Sequence, residues 1–180
     1  MKTVLIAGGC RSGKSQFAME MALALAENPY YIATAQAHDG EMDSRIQKHR
    51  DDRSARFITI EESTDLVAAC NKIPPGSVVC IDCLTLWISN LLMQQQQESD
   101  IISLLDQTME IMRKKDVTAI WVSNEVGLGV MPVNALARQF GDISGRCHQI
   151  LASKAEEVYL TLFGQRLQIK PEMKAMGQQL

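Results

Sequence analysis

Near the start of the chain, Gly8, Gly9, Cys10, Arg11, Ser12, Gly13, Lys14 and Ser15 combine glycines, a lysine and a hydroxyl at the spacing of the Walker A pattern. In such a loop the glycines let backbone N–H groups turn inward around phosphate oxygens without a Cβ in the way. The lysine reaches the β- and γ-phosphates and the final hydroxyl ligates Mg²⁺, so Lys14 and Ser15 are expected to do this here. A helix opening near Ser15 would aim roughly half a positive charge at the same anion. The apolar run at residues 3–7 before the loop supplies the strand that such a site needs. The pattern points to a nucleoside triphosphate and leaves its chemistry open, because kinases, transferases, motors and switches share this loop.

Two more groups of residues could act on that nucleotide. Asp82 ends the apolar run 77–82, the Walker B position, where a carboxylate holds Mg²⁺ through water or takes a proton from an attacking hydroxyl. Its plain alternative is an N-cap for the helix from Leu84 onward. Glu125, in Ser123-Asn124-Glu125 at another strand end, is a second candidate base for a kinase step. Residues 42–53 read as a helix with Arg45, His49 and Arg53 four apart on one face. Neighbouring positive charge favours the neutral form of an imidazole, leaving His49 available as nucleophile or base. Arg45, Arg50 and Arg53 would stabilise phosphoryl oxygens, unless the face is merely solvated. His38 and His148 lack that cationic setting and are set aside.

The elements that must hold these residues recur as apolar, β-branched runs at 3–7, 30–34, 57–60, 77–82, 117–123 and 157–163, separated by helix-like stretches. Continuous apolar runs such as Val78-Val79-Cys80-Ile81 and Ala119-Ile120-Trp121-Val122 suit parallel strands covered on both faces. The expected fold is therefore α/β, a doubly wound, mostly parallel sheet, with ligands at the carboxyl ends of the strands. The run 157–163, the turn Gly164-Gln165 and the run 166–170 predict a C-terminal antiparallel edge hairpin. A helix is expected from Asp100 to about Lys114. With 180 residues, 46% of them hydrophobic, the chain reads as one domain, 1–180, with residues 171–180 as a loose tail.

A net charge of −3 argues against a nucleic-acid binder relying on bulk charge, and no segment reads as a signal peptide or a membrane span. A cytoplasmic protein is expected. Five cysteines, an odd number with several in apolar strands, suit reduced thiols. Cys80-Ile81-Asp82-Cys83 has the spelling of a redox or zinc motif but lies inside a strand without a second pair, so core packing is the expected role. Cys147-His148 lacks accompanying metal ligands.

Taken together, the chain resembles the bifunctional adenosylcobinamide kinase / adenosylcobinamide-phosphate guanylyltransferase family of cobalamin biosynthesis over nearly its whole length. The resemblance rests on the Gly8–Ser15 loop, Tyr31-Ile32-Ala33-Thr34, Arg45-Ile46-Gln47-Lys48-His49-Arg50, Ile81-Asp82-Cys83-Leu84-Thr85-Leu86-Trp87, Asn124-Glu125-Val126-Gly127-Leu128-Gly129-Val130, and Leu136-Ala137-Arg138-Gln139-Phe140-Gly141-Asp142 with Gly145-Arg146. It implies a RecA-like P-loop NTPase fold, a homotrimer, and two reactions. These are phosphorylation of adenosylcobinamide with ATP or GTP, then GMP transfer from GTP through a covalent histidine-GMP intermediate, with His49 at the nucleophile position. It further implies catalytic roles for Lys14 and Asp82, Mg²⁺ on Ser15 and Asp82, and nucleotide contacts from Ala33, Thr34, Ala35, Arg50, Asp51, Asp52, Arg53, Glu61 and Glu62. Four positions depart from the family pattern: Ser54 for a usual proline, Val133 for the common Glu after Pro132, and Cys147-His148 for a bulky residue and Asn. A single-activity P-loop kinase and a nucleotide-binding switch are the alternatives: neither would leave a covalent adduct.

Overall fold

Seven strands, β1 (Thr3–Gly8), β2 (Tyr30–Ala33), β3 (Ile58–Glu61), β4 (Val78–Asp82), β5 (Thr118–Asn124), β6 (Glu157–Leu162) and β7 (Gln165–Lys170), form one sheet in the order β3-β2-β4-β5-β1-β6-β7. This computed structural model describes residues 2–37 and 40–171, without the side chains of Glu41, Met42 and Arg45. All pairings are parallel except β6 with β7. The expected doubly wound sheet with an antiparallel C-terminal edge is the one observed. His38, Asp39 and residues 172–180 of the expected tail lie outside the described residues.

Strand alternation builds two cores, one on each face. Val4 and Ile6 of β1, Tyr31 of β2, Val78 and Cys80 of β4, and Ile120 and Val122 of β5 pack with Phe17, Ala18, Met19 and Ala22 of helix α1 (Lys14–Leu25). The intervening residues Leu5, Ile32, Val79, Ile81, Ala119 and Trp121 face helices α3 (Leu66–Asn71), α4 (Leu84–Met93), α5 (Glu98–Lys114) and α6 (Ala135–Lys154). Because both sets are buried, the central strands carry apolar residues at nearly every position. No described side chain of the remaining helix, α2 (Gly40–Asp51), joins either core, and those from Gln47 to Asp51 are exposed.

Most expected boundaries shift by one or two residues, and two of the shifts have a clear local cause. Helix α5 begins at Glu98, with Gln97 and Asp100 exchanging side-chain and backbone bonds in a capping box, so Asp100 stabilises the first turn from within. The hairpin turn is Phe163-Gly164 rather than Gly164-Gln165. Both residues have positive φ, 53° and 76°, which matches the right-handed twist of the flanking strands.

The cysteines behave as core residues. Cys80 and Cys83 are buried beside α1, none of the five is paired, and only Cys10 is exposed. Burial pushes the Cys83 thiol up to about 11 and those of Cys70 and Cys147 to about 12, which keeps them protonated and inert. No group of three metal-ligating side chains occurs among the described residues.

Candidate active site

The phosphate loop runs from the end of β1 into α1. Gly13 caps α1 at φ 92°, a left-handed geometry that favours glycine. Gly8 is needed for a different reason: a Cβ there would lie 2.1 Å from Thr161 Oγ1 and 2.6 Å from the Thr161 carbonyl. Thr161 of β6 braces the loop, its hydroxyl 2.7 Å from that of Ser12, and the Gly164 Cα of the hairpin turn lies 3.8 Å from where a Gly13 Cβ would be. Lys14 is buried, and its Nζ donates to the Gly9 carbonyl at 3.0 Å, which holds the ammonium folded over the loop.

A cavity of about 600 Å³ opens over this loop, lined by Cys10, Arg11, Ser12, Gly13, Lys14 and Ser15 together with Asp82 and Asn124. A larger cavity of about 960 Å³ adjoins it, lined by Tyr31, Ala33, residues 50–53 and Glu61. Their shared wall is Ala35, Ile46, Lys48, His49, Asp52, Asp82 and Leu86. His49 therefore faces the phosphate loop on one side and the larger cavity on the other.

Asp82 does not cap α4, whose N-cap is Cys83. Its Oδ2 instead accepts a hydrogen bond from the Tyr31 hydroxyl at 2.7 Å. Burial, and then the Asp82 charge, push the Tyr31 phenol well above its ordinary range, so it is a fixed donor. The hydroxyl of Ser15 and the carboxylate of Asp82 line one cavity, a set of hard oxygens of the kind that suits Mg²⁺ shared with phosphates and water.

Residues 4–169 match the family described as cobinamide kinase / cobinamide phosphate guanyltransferase. This chain belongs to that family. It is 41% identical over 172 residues to the bifunctional adenosylcobalamin biosynthesis protein CobP of Pseudomonas aeruginosa, covering 93% of this chain and 97% of that protein. It is 36% identical over 182 residues to CobU of Salmonella typhimurium, covering 93% and 99% respectively. The chain is thus an enzyme of a kinase and nucleotidyltransferase family. Among solved structures, the RadB recombinase aligns with a TM-score of 0.52 at 16% identity, covering 88% of this chain and 73% of that one. The ATPase domain of G40P aligns at 0.50 and 17%, covering 88% and 68%. These two likenesses place the fold among RecA-like P-loop NTPases.

Against that family frame, the expected residues divide. Ala33, Ala35, Arg50, Asp51, Asp52, Arg53 and Glu61 line the larger cavity. Thr34 does not: fully buried, its Oγ1 donates to the Cys83 carbonyl at 2.8 Å and accepts from the Cys83 N–H at 2.7 Å, bracing β2 against the exit of β4. Glu62 also turns away, because Oε1 accepts from the backbone N–H groups of Thr64 and Asp65, which hold its carboxylate below the usual range against the cost of burial. Arg53 is not on the His49 helix face, since α2 ends at Asp51. Its guanidinium instead stacks 3.8 Å from the Tyr31 ring centroid and donates to Thr59 Oγ1. Arg50 forms a two-pronged ion pair with Glu61, at 2.9 and 2.7 Å. The Arg45 side chain lies outside the described residues.

Glu125 and His148 form a separate cluster. Glu125 Oε1 accepts from the Gly127 N–H at 2.6 Å, and Oε2 lies 4.0 Å from His148 Nδ1. His148 Nε2 is 2.5 Å from the hydroxyl of the buried Ser123. Burial lowers the His148 pKa, against the opposing pull of Glu125. Sequence reasoning set His148 aside, although its place one turn from Ser144 and Leu151, both buried, marked it as inward-facing. It also passed over Lys48, which lines both cavities and whose signal was its place in the basic last turn of α2.

Proposed function

We propose that this chain phosphorylates adenosylcobinamide with ATP or GTP and then transfers GMP from GTP to the product through a covalent guanylyl group on His49. The observation that carries this reading is the position of His49 in the wall between the phosphate-loop cavity and its larger neighbour. A nucleophile there can receive a group from a triphosphate on one side and hand it to an acceptor on the other.

In the first half-reaction the lone pair of the neutral imidazole attacks the α-phosphorus and a P–N bond forms. The P–O bond to the β-phosphate breaks, and pyrophosphate leaves with that electron pair while Lys14 stabilises its charge. The ring then loses its remaining N–H proton to solvent. In the second half-reaction the ring takes a proton back from solvent, a phosphate oxygen of adenosylcobinamide phosphate attacks the same phosphorus, and the P–N electrons return to the ring, which leaves as neutral imidazole. Ser15 and Asp82 would hold Mg²⁺, which offsets phosphate charge when bound. For the kinase step Asp82 is the better-placed base, because it lines both cavities while Glu125 lines neither.

The proposal includes a homotrimer working in the cytoplasm, the former testable by light scattering. The deciding experiment is intact mass spectrometry after incubation with GTP. One guanylyl group per chain, absent from His49→Ala, is the expected result; a wild-type protein that never gains it would overturn the transferase mechanism. No helix among the described residues is long and apolar enough to cross a membrane.

A further inference from the structure

Tyr31 lines the larger cavity and links Arg53 there to Asp82, which lines both cavities. It sits on β2, paired in register with Cys80 of β4, two residues before the Ala33–Asp82 pair. Only 3% of it is exposed. Its hydroxyl donates to Asp82 Oδ2 at 2.7 Å, the Arg53 guanidinium lies 3.8 Å from its ring centroid, and Phe57 meets it edge-on at 5.6 Å. The ring is thus clamped by Phe57 and Arg53, and its rigid body delivers the hydroxyl to one carboxylate oxygen.

A packing role alone would be filled by phenylalanine, which has the same ring and no polar group to satisfy. A buried hydroxyl committed to a carboxylate at the carboxyl end of a strand does something phenylalanine cannot: it fixes the rotation of that carboxylate. Asp82 lines the phosphate-loop cavity, so holding Oδ2 on Tyr31 also sets where Oδ1 sits at that cavity's wall. Groups that orient a reacting or ligating residue in this way commonly matter 10- to 100-fold, although they touch no substrate.

We propose that Tyr31 is a positioning residue with two separable actions. Its hydroxyl aims the Asp82 carboxylate at the nucleotide, and its ring seats Arg53 against the larger cavity. The first action rests on the role given above to Asp82; neither depends on the covalent step at His49. The two are separable because Tyr31→Phe removes only the hydroxyl, whereas Tyr31→Leu removes the ring as well.

The test uses the full chain. Calorimetry of GTP binding is run in EDTA and in Mg²⁺, kcat and KM are measured for γ-phosphoryl transfer, and Tm is recorded for each variant. For Tyr31→Phe we expect GTP affinity in EDTA and KM to stay within about twofold, while kcat falls about tenfold or more and the tightening of GTP by Mg²⁺ shrinks. Tyr31→Leu should add a rise in nucleotide KM. In an Asp82→Asn background, Tyr31→Phe should cost little more, since the residue it aims is already altered. Unchanged kcat and Mg²⁺ response in Tyr31→Phe would overturn the proposal. So would losses of kcat and affinity that track a fall in Tm, or an undiminished effect in the Asp82→Asn background. A wild-type protein that lacks the His49 adduct yet shows this Tyr31 pattern would refute the covalent mechanism and leave this inference standing.

Discussion

The two helices that flank the nucleotide site are held in opposite ways. Helix α1 carries Lys14 and Ser15 and drives Phe17, Ala18, Met19 and Ala22 into the core, with Phe17 edge-on to Tyr159 at 5.0 Å. Helix α2 carries His49, and among the described residues it and the segment just after it are tied down by the Arg50–Glu61 pair and by Arg53 stacked on Tyr31. The difference suits the chemistry proposed above for each. A phosphate cradle works by preorganised donors, which must be rigid before the ligand arrives. A nucleophile that serves two cavities in turn needs to stay accessible to both, and a buried helix could not present it so.

That contrast can be broken first at His49. His49→Ala should reduce guanylyl transfer on the order of 10⁴-fold or more, while kinase turnover stays within about threefold and Tm is unmoved, because the residue is exposed. Loss of kinase activity in the same variant would make α2 part of the cradle and dissolve the distinction. Lys14→Ala should instead lower both activities together, about 100- to 1,000-fold, and calorimetry should show weakened GTP binding.

Stability should divide along the same line. Gly8→Ala forces a methyl group against Thr161 and should cost about 3 kcal/mol by denaturant melts, with nucleotide binding falling alongside. His148 has a lowered pKa, so the unfolded chain takes up its proton first as pH falls below about 6.5. Stability should therefore decline from that point toward pH 5, by at most about 1.4 kcal/mol per pH unit, and His148→Asn should flatten the slope. The smallest effect is expected on the α2 side: Arg50→Ala removes an exposed ion pair worth about 0–1 kcal/mol and should leave Tm nearly unchanged.

What the sequence disclosed follows from how locally each feature is encoded. The phosphate loop, the apolar strands and Asp82 at a strand end are written within a few consecutive residues, and all were legible. Which of Glu61 and Glu62 faces the cavity was a matter of alternation at the end of β3, where neighbours point apart. The excursion of Arg53 depended on α2 ending at Asp51 without a glycine or proline to announce it. The hairpin turn was displaced by one residue because Phe163 adopts a conformation usually left to Gly, Asn or Asp. The bracing of the loop by Thr161 was invisible, since it joins positions 149 residues apart.

That last contact bears on when the enzyme first becomes competent. A nascent chain emerging from the ribosome displays the whole nucleotide motif once residue 15 has been made, yet Ser12 and Gly8 have no wall to rest on until the strand bearing Thr161 has been synthesised. Such distant closures are late and slow. The ability to grip a triphosphate should therefore wait until residue 161 has been made, and a chain released before that point should carry the signature without the function.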